Sequence, residues 1–147
     1  MFTVDNKYSK NEIYTILKVP KEKQKGAWDT GYREYEGDIY IFANIGIEGR
    51  TGHNYMNYWD GDLLHWEAKK TSKINQPQIH DMINDNVKGV IHIFTRTDNR
   101  DDFTYEGVGS VDSYEDTQPV KIVWRFDSTH NGFQRPEKDP NELVYHK

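Results

Sequence analysis

Apolar positions recur at helical spacing near the start of the chain and at extended spacing through most of its remaining length. Ser9-Lys10-Asn11-Glu12 has the form of a capping box, a hydroxyl followed three residues later by a carboxylate. Ile13, Ile16 and Leu17 then share one helical face, and Pro20 closes the pattern. This predicts a short helix over 10–18, followed by a lysine-rich connection to Gly26. Five segments read as strands because they concentrate β-branched and aromatic residues: 38–45, 63–68, 90–95, 103–108 and 120–126. Between the second and third, Ile79, Met82 and Ile83 have the spacing of a short amphipathic helix over 76–84, with Pro77 in its first turn. Gly46, Gly49 and Gly52 punctuate a loop, Asp60-Gly61-Asp62 reads as a turn, and so does Gly109-Ser110. The order helix, strands, short helix, strands predicts an α+β fold: a small curved, mostly antiparallel β pseudobarrel with two short helices. From Asp127 the chain turns polar, with Gly132, Pro136 and Pro140. The expected organisation is therefore one domain over 1–126 and a linker-like tail over 127–147.

Composition agrees with one domain. The chain has 147 residues, 35% hydrophobic and 14% aromatic, enough apolar material for a single core. No apolar run reaches the length of a membrane span, and 1–15 lacks the apolar stretch of a secretory leader, so no membrane association and an intracellular location are expected. The absence of cysteine excludes disulfide scaffolds, cysteine-based zinc sites and thiol nucleophiles.

A formal net charge of −5 at first argues against a polyanionic partner. The charge is uneven, however. Residues 1–26 hold six lysines against Asp5, Glu12 and Glu22. Residues 98–119 hold seven acidic residues against Arg100 alone, which accounts for the whole negative balance. Lys69-Lys70-Thr71-Ser72-Lys73 forms a basic patch of its own. Local field, and not net charge, recruits a polyanion within a Debye length, so a basic face remains open to nucleic acid.

Catalytic motifs are lacking. No Gly-x-Ser-x-Gly elbow, no His-Glu-x-x-His pair, and no phosphate-cradling GxGxxG or GKS/T sequence occurs. No catalytic residue, metal site or cofactor is expected. His65 and His92 fall inside strands, where hydrogen-bonded structural histidines are the commoner case. The densest unusual cluster is Tyr55, Asn57, Tyr58, Trp59, Asp60, His65 and Trp66. Two readings stand: an aromatic core with a turn, or a pocket in which rings sandwich an extruded base while Asp or Asn reads its edge. Arg50 before the cluster, and Lys69, Lys70, Ser72 and Lys73 after it, could hold phosphates.

Five segments, in order, resemble one family. Tyr8-Ser9-Lys10-Asn11-Glu12-Ile13 resembles its opening Tyr-Ser-x-x-Glu-Val helix, and Leu64-His65-Trp66-Glu67-Ala68-Lys69 its Phe-His-Trp-Gln-Ser-Gln strand. Ile93-Phe94-Thr95-Arg96, Phe103-Thr104-Tyr105-Glu106-Gly107 and Pro119–Phe126 resemble its Phe-Val-Arg, Phe-x-Tyr-Leu-Gly and Pro-x-x-Ile-x-Trp strands. The family is the SRA-like domain of the PUA superfamily that lies C-terminal to the helicase in phospholipase-D-type, ATP-dependent restriction enzymes and is also joined to HNH nucleases. The chain departs from it at Gly49–Tyr55 and at Glu67-Ala68-Lys69, which leaves open the modification and the sequence context read.

The resemblance implies a binding domain without catalysis, the specificity module of a modification-dependent restriction system in a bacterial or phage-infected cytoplasm. Its partners would be double-stranded DNA with a flipped, modified cytosine, and a nuclease domain in cis or in trans. Tyr32, Tyr55, Asn57, Trp59, Asp60 and Trp66 would form the base pocket. Arg50, His53, Lys69, Lys70, Ser72 and Lys73 would hold the DNA backbone. The alternatives are a PUA-like RNA-binding module, or a protein-interaction domain that uses the acidic 98–119 segment.

Overall fold

The computed structural model describes residues 1–29, 31–46 and 57–126. Arg50, His53 and Tyr55 of the expected site, and the expected tail over 127–147, lie outside the described residues.

Strand β1 (Lys7–Tyr8) leads into helix α1 (Lys10–Leu17). The capping box is complete: the Ser9 hydroxyl accepts from the Glu12 N–H at 3.1 Å, and the Glu12 carboxylate accepts from the Ser9 N–H at 2.9 Å. Two orphan donors of the first turn are thereby satisfied. Lys18 ends the helix in the left-handed conformation, and the lysine-rich connection forms two 3-10 turns, Lys21–Lys23 and Gly26–Asp29. Strands β2 (Tyr32–Tyr35), β3 (Asp38–Asn44), β4 (Tyr58–Asp60) and β5 (Leu63–Glu67) come next, then helix α2 (Pro77–Ile83), and strands β6 (Ile91–Arg96), β7 (Phe103–Glu115) and β8 (Lys121–Phe126).

All eight strands join one sheet in the order β2-β3-β6-β7-β8-β5-β4, with β1 paired to β7. Only the β3–β6 pairing is parallel, so the sheet is mostly antiparallel as expected. It is not closed: β2 and β4 stand at opposite ends of the pairing path. Two irregularities bend β7. Opposite the Ile93/Phe94 step of β6, Glu106 is the extra residue between paired Tyr105 and Gly107, and Gly107 has φ +111°. A second shift inserts Asp112 between Val111 and Ser113 opposite β8. Gly109 pairs with β6 on one edge and β8 on the other. A Cβ there would lie 2.5 Å from Ile93 Cδ1 and 3.2 Å from the Trp124 ring, so any larger residue at this waist would force Ile93 to shift.

Gly109-Ser110, expected as a turn, is therefore the middle of the longest strand. The pattern conceals this because β7 runs out of the core: residues through Gly109 are mostly buried and those from Asp112 to Glu115 are exposed. Strands β2 and β4 also lie outside the five expected strands, being only four and three residues long.

The sheet separates two cores. Ile39, Ile41 and Ala43 of β3 point to one side, with Leu64, Trp66, Ile122, Trp124 and α2 residues Ile79 and Met82. Tyr40 and Phe42 alternate to the other side, with Phe94, Phe103, Tyr105, Trp28 and α1 residues Ile13 and Tyr14. Within this second, aromatic core the partly buried Asp38 is a polar hub. Its Oδ1 accepts from the Val90 N–H at 2.9 Å, its Oδ2 lies 3.0 Å from His92 Nε2, and His92 Nδ1 lies 2.8 Å from the Tyr105 hydroxyl. Tyr40 stacks on His92 at 4.8 Å, and burial beside Asp38 pushes its phenol pKa up.

Candidate functional site

The hairpin β4–β5 and the connection after it bring together most of the described candidate residues. Its loop is Gly61-Asp62, and Gly61 has φ +62° at the first loop position, where a type II′ hairpin requires glycine. The register is then set by counting outward: Asp60 faces Leu63, Trp59 faces Leu64 and Tyr58 faces His65.

Period-two alternation divides the expected pocket. Trp59 is buried in the aliphatic core against Phe126, whereas Tyr58 and Asp60 are exposed on the other face. Trp59 and Asp60 therefore cannot stack on and read one base from adjacent positions of this strand. Asp60 instead faces His65, with 3.8 Å between Oδ2 and Nε2, and His65 stacks on Tyr58 with centroids 4.5 Å apart. Trp66, on the inner side, meets Tyr32 edge-on at 5.5 Å and Trp124 at 6.0 Å.

Two expected contact residues serve the fold. The Asn57 amide is committed at both ends: its carbonyl accepts from the Glu67 N–H at 2.8 Å and its NH2 donates to the Asn44 carbonyl at 3.0 Å. Asn57 thus ties the end of β3 to β5 and does not present a free amide edge. Ser72 is buried, and its hydroxyl accepts from the Val120 N–H at 2.9 Å. Lys70 and Lys73 on either side of it are exposed.

Lys69 is the informative cation. Its ammonium sits 4.4 Å above the Tyr32 ring. Burial, and then the nearby Arg33, holds its pKa below the ordinary lysine value. No salt bridge to a carboxylate holds Lys69 among the described residues. Tyr32, Trp66 and Lys69 thus form one cluster, with Arg33 as a flanking member that alternates to the other face of β2, 5.9 Å from the Trp28 ring, yet lies near enough to act on Lys69. Arg33 is the member that sequence reasoning missed. Its signal in the sequence was adjacency to Tyr32, an expected pocket residue.

Elsewhere on the surface, Tyr58, His65, Glu67, Ser113, Tyr114, Glu115, Lys121 and Val123 line an open groove of about 400 Å³. The acidic stretch is scattered. Asp98, Asp101 and Asp102 occupy the β6–β7 turn, Glu106 is buried accepting from Thr95 Oγ1 at 2.5 Å, and Asp112, Glu115 and Asp116 lie at the exposed end of β7.

This α+β fold, a mixed sheet of eight strands with two short helices, matches that of SRA domains. The SUVH5 SRA domain crystallised with hemi-methylated CG DNA is similar with a TM-score of 0.52, at 15% sequence identity, over 86% of this chain and 89% of that one. The SUVH5 SRA domain crystallised with fully methylated CG DNA also gives 0.52, at 14% identity, over 93% of each chain. Residues 2–129 match the family model described as "Domain of unknown function (DUF3427)", and the chain belongs to that family. No curated protein matches the sequence.

Proposed function

We propose that this domain binds double-stranded DNA carrying a modified cytosine, turned out of the duplex, and serves as the non-catalytic specificity module of a modification-dependent restriction system. The observation that carries the reading is the shared fold: both similar SRA domains were crystallised with methylated DNA. The chain's own residues add support. Lys69 over the Tyr32 ring and Arg33 over the Trp28 ring have no carboxylate salt-bridge partner among the described residues, and Lys70 and Lys73 extend the positive charge along the exposed connection. We assign phosphate contacts to these four cations.

The Tyr32–Trp66 ring pair beneath Lys69 is buried and packed edge-on, so a base would be received beside Lys69 at its rim and not between the two rings. Extruding a base costs a few kcal/mol. Stacking returns roughly 1–3 kcal/mol per base, and contacts to the modification supply the discrimination. Cleavage would fall to a nuclease domain in cis or in trans, in a bacterial or phage-infected cytoplasm.

Titration of the full chain by fluorescence anisotropy tests this with four matched duplexes: 5-methylcytosine, 5-hydroxymethylcytosine and plain DNA, and RNA. At least one modified DNA should bind about tenfold tighter than plain DNA, equivalent to ~1.4 kcal/mol. Equal affinity for all four overturns the reading, and tightest binding to RNA replaces it with the PUA-like RNA alternative. Lys69→Ala combined with Lys73→Ala should weaken modified and plain DNA alike and flatten the salt dependence. Cutting of methylated plasmid by the chain alone with Mg²⁺ would overturn the assignment of a binding module.

A further inference from the structure

The groove on the outer face of β4, β5, β8 and β7 is not used by the proposed DNA contacts, and its chemistry differs from theirs. Two cross-strand rows build it. Tyr58 pairs with His65, His65 with Val123, and Val123 with Ser113. Beside that row, Lys121 pairs with Glu67 on one side and Glu115 on the other. Alternation turns Trp59, Trp66, Ile122 and Trp124 inward, so this face is left polar, aromatic and uncovered by either helix. Tyr58 is 40% exposed and Tyr114 is 50% exposed. Apart from Met1 they are the exposed large hydrophobic side chains among the described residues; Tyr58 belongs to this face, and Tyr114, paired with Ile122, borders the groove from the other face of β7.

The charge around the groove selects the class of ligand. Glu67 and Glu115 line it, Asp60 borders it through His65, and Asp112 and Asp116 lie on the same stretch of β7 and its exit. Against them stand Lys121 and Arg125, and the Arg125 guanidinium is already engaged, donating to the Val111 carbonyl at 2.6 Å. A phosphate backbone is repelled from such a surface. A planar cation is favoured, because it can lie on a tyrosine ring while carboxylates neutralise it.

We propose that this groove docks a basic segment of a partner protein, seating one arginine side chain against Tyr58 and Glu67 and a second basic side chain against Glu115. The acidic stretch that sets the chain's net charge then has a role of its own: it forms a protein-facing surface beside a nucleic-acid-facing one. Lys121 lies between the two glutamates and competes with the incoming cation. The proposal does not depend on the DNA reading, since its residues are distinct from Tyr32, Arg33, Lys69, Lys70 and Lys73.

The test uses the full chain and a fluorescein-labelled hexa-arginine peptide, with hexa-glutamate as control, read by anisotropy and by amide chemical-shift mapping. Hexa-arginine should bind and shift Tyr58, His65, Ser113 and Lys121, and hexa-glutamate should not. Tyr58→Ala and Glu115→Gln should each weaken hexa-arginine about fivefold, and Lys121→Ala should tighten it. Asp98→Asn with Asp102→Asn, which removes acidic charge from the β6–β7 turn instead, should leave it unchanged. Tyr58 and Glu115 are both exposed, so folding is checked by unchanged tryptophan fluorescence. The proposal is overturned if hexa-arginine does not bind, if the Asp98/Asp102 variant weakens binding as much as Glu115→Gln, or if duplex DNA shifts the groove residues.

Discussion

The two halves of the sheet are built to different rules. Strands β3 and β6 are buried along almost their whole length, because α1 and the aromatic core cover one face and the aliphatic core covers the other. Strands β4, β5 and β8 alternate buried with exposed or half-buried positions, because among the described residues only their inner face is covered. The first half is scaffold, and its sequence reads as continuous apolar runs. The second half is a sheet with one face covered among the described residues, and its sequence alternates apolar with polar. Strand β7 belongs to both, with Gly109 as the waist between them.

Substitutions can break or sharpen this contrast. Phe94→Ala, at a fully buried position in the doubly covered half, should destabilise by about 3–5 kcal/mol in urea denaturation. Tyr58→Ala, on the free face, should cost less than about 0.5 kcal/mol. Similar costs for the two would dissolve the distinction between scaffold and interface.

Smaller effects arise from polar groups. Asp38→Ala strands His92 Nε2 and the Val90 N–H, and should cost about 1–3 kcal/mol by the same measurement. Asn57→Ala in the one-sided half strands the Glu67 N–H and the Asn44 carbonyl, and should cost about 1–2 kcal/mol. Equal costs at Asp38 and Asn57 would mean that both halves depend on polar ties to the same degree.

Lys69→Met separates stability from binding. Folding lowers the Lys69 pKa, so the charged side chain disfavours the folded state at neutral pH. The variant should melt slightly higher at pH 7 while binding DNA more weakly. Its advantage should shrink as the pH rises past the lowered pKa, where folded wild type carries a neutral amine.

The smallest effect is at the exposed Lys7–Asp101 pair, 2.8 Å apart. Its hydrogen bond to Lys7 holds the Asp101 pKa down, and its partner's is held up. The contribution is present at neutral pH. It is lost in acid as the pH falls through the lowered Asp101 value, and in base as it rises through the raised Lys7 value. The stability difference between Asp101→Asn and wild type should therefore appear at pH 7 and vanish at both extremes.

Particular residues show where sequence reading succeeds. The capping box at Ser9–Glu12 and the Gly61-Asp62 loop are local, so spacing alone identified a helix start and a turn. Once that loop is placed, counting outward puts Trp59 and Asp60 on opposite faces, a consequence the mixed aromatic and polar cluster obscured. The second half of β7 was missed because its side chains are exposed, and hydrophobic patterning reports burial rather than extension. Asn57 and Ser72 looked like ligand-binding groups. Their partners, Asn44, Glu67 and Val120, come from other strands, and no local pattern announces them.

The sequence by itself determined the α+β class, both helices, the five long apolar strands and the uneven distribution of charge, because these depend on neighbours along the chain. Only the tertiary structure decided which aromatics are core, that Lys69 sits over the Tyr32 ring, and that the exposed end of the acidic stretch borders a groove lined by Tyr58. Those outcomes depend on strand order and on the bend of β7, which bring together residues separated by tens of positions.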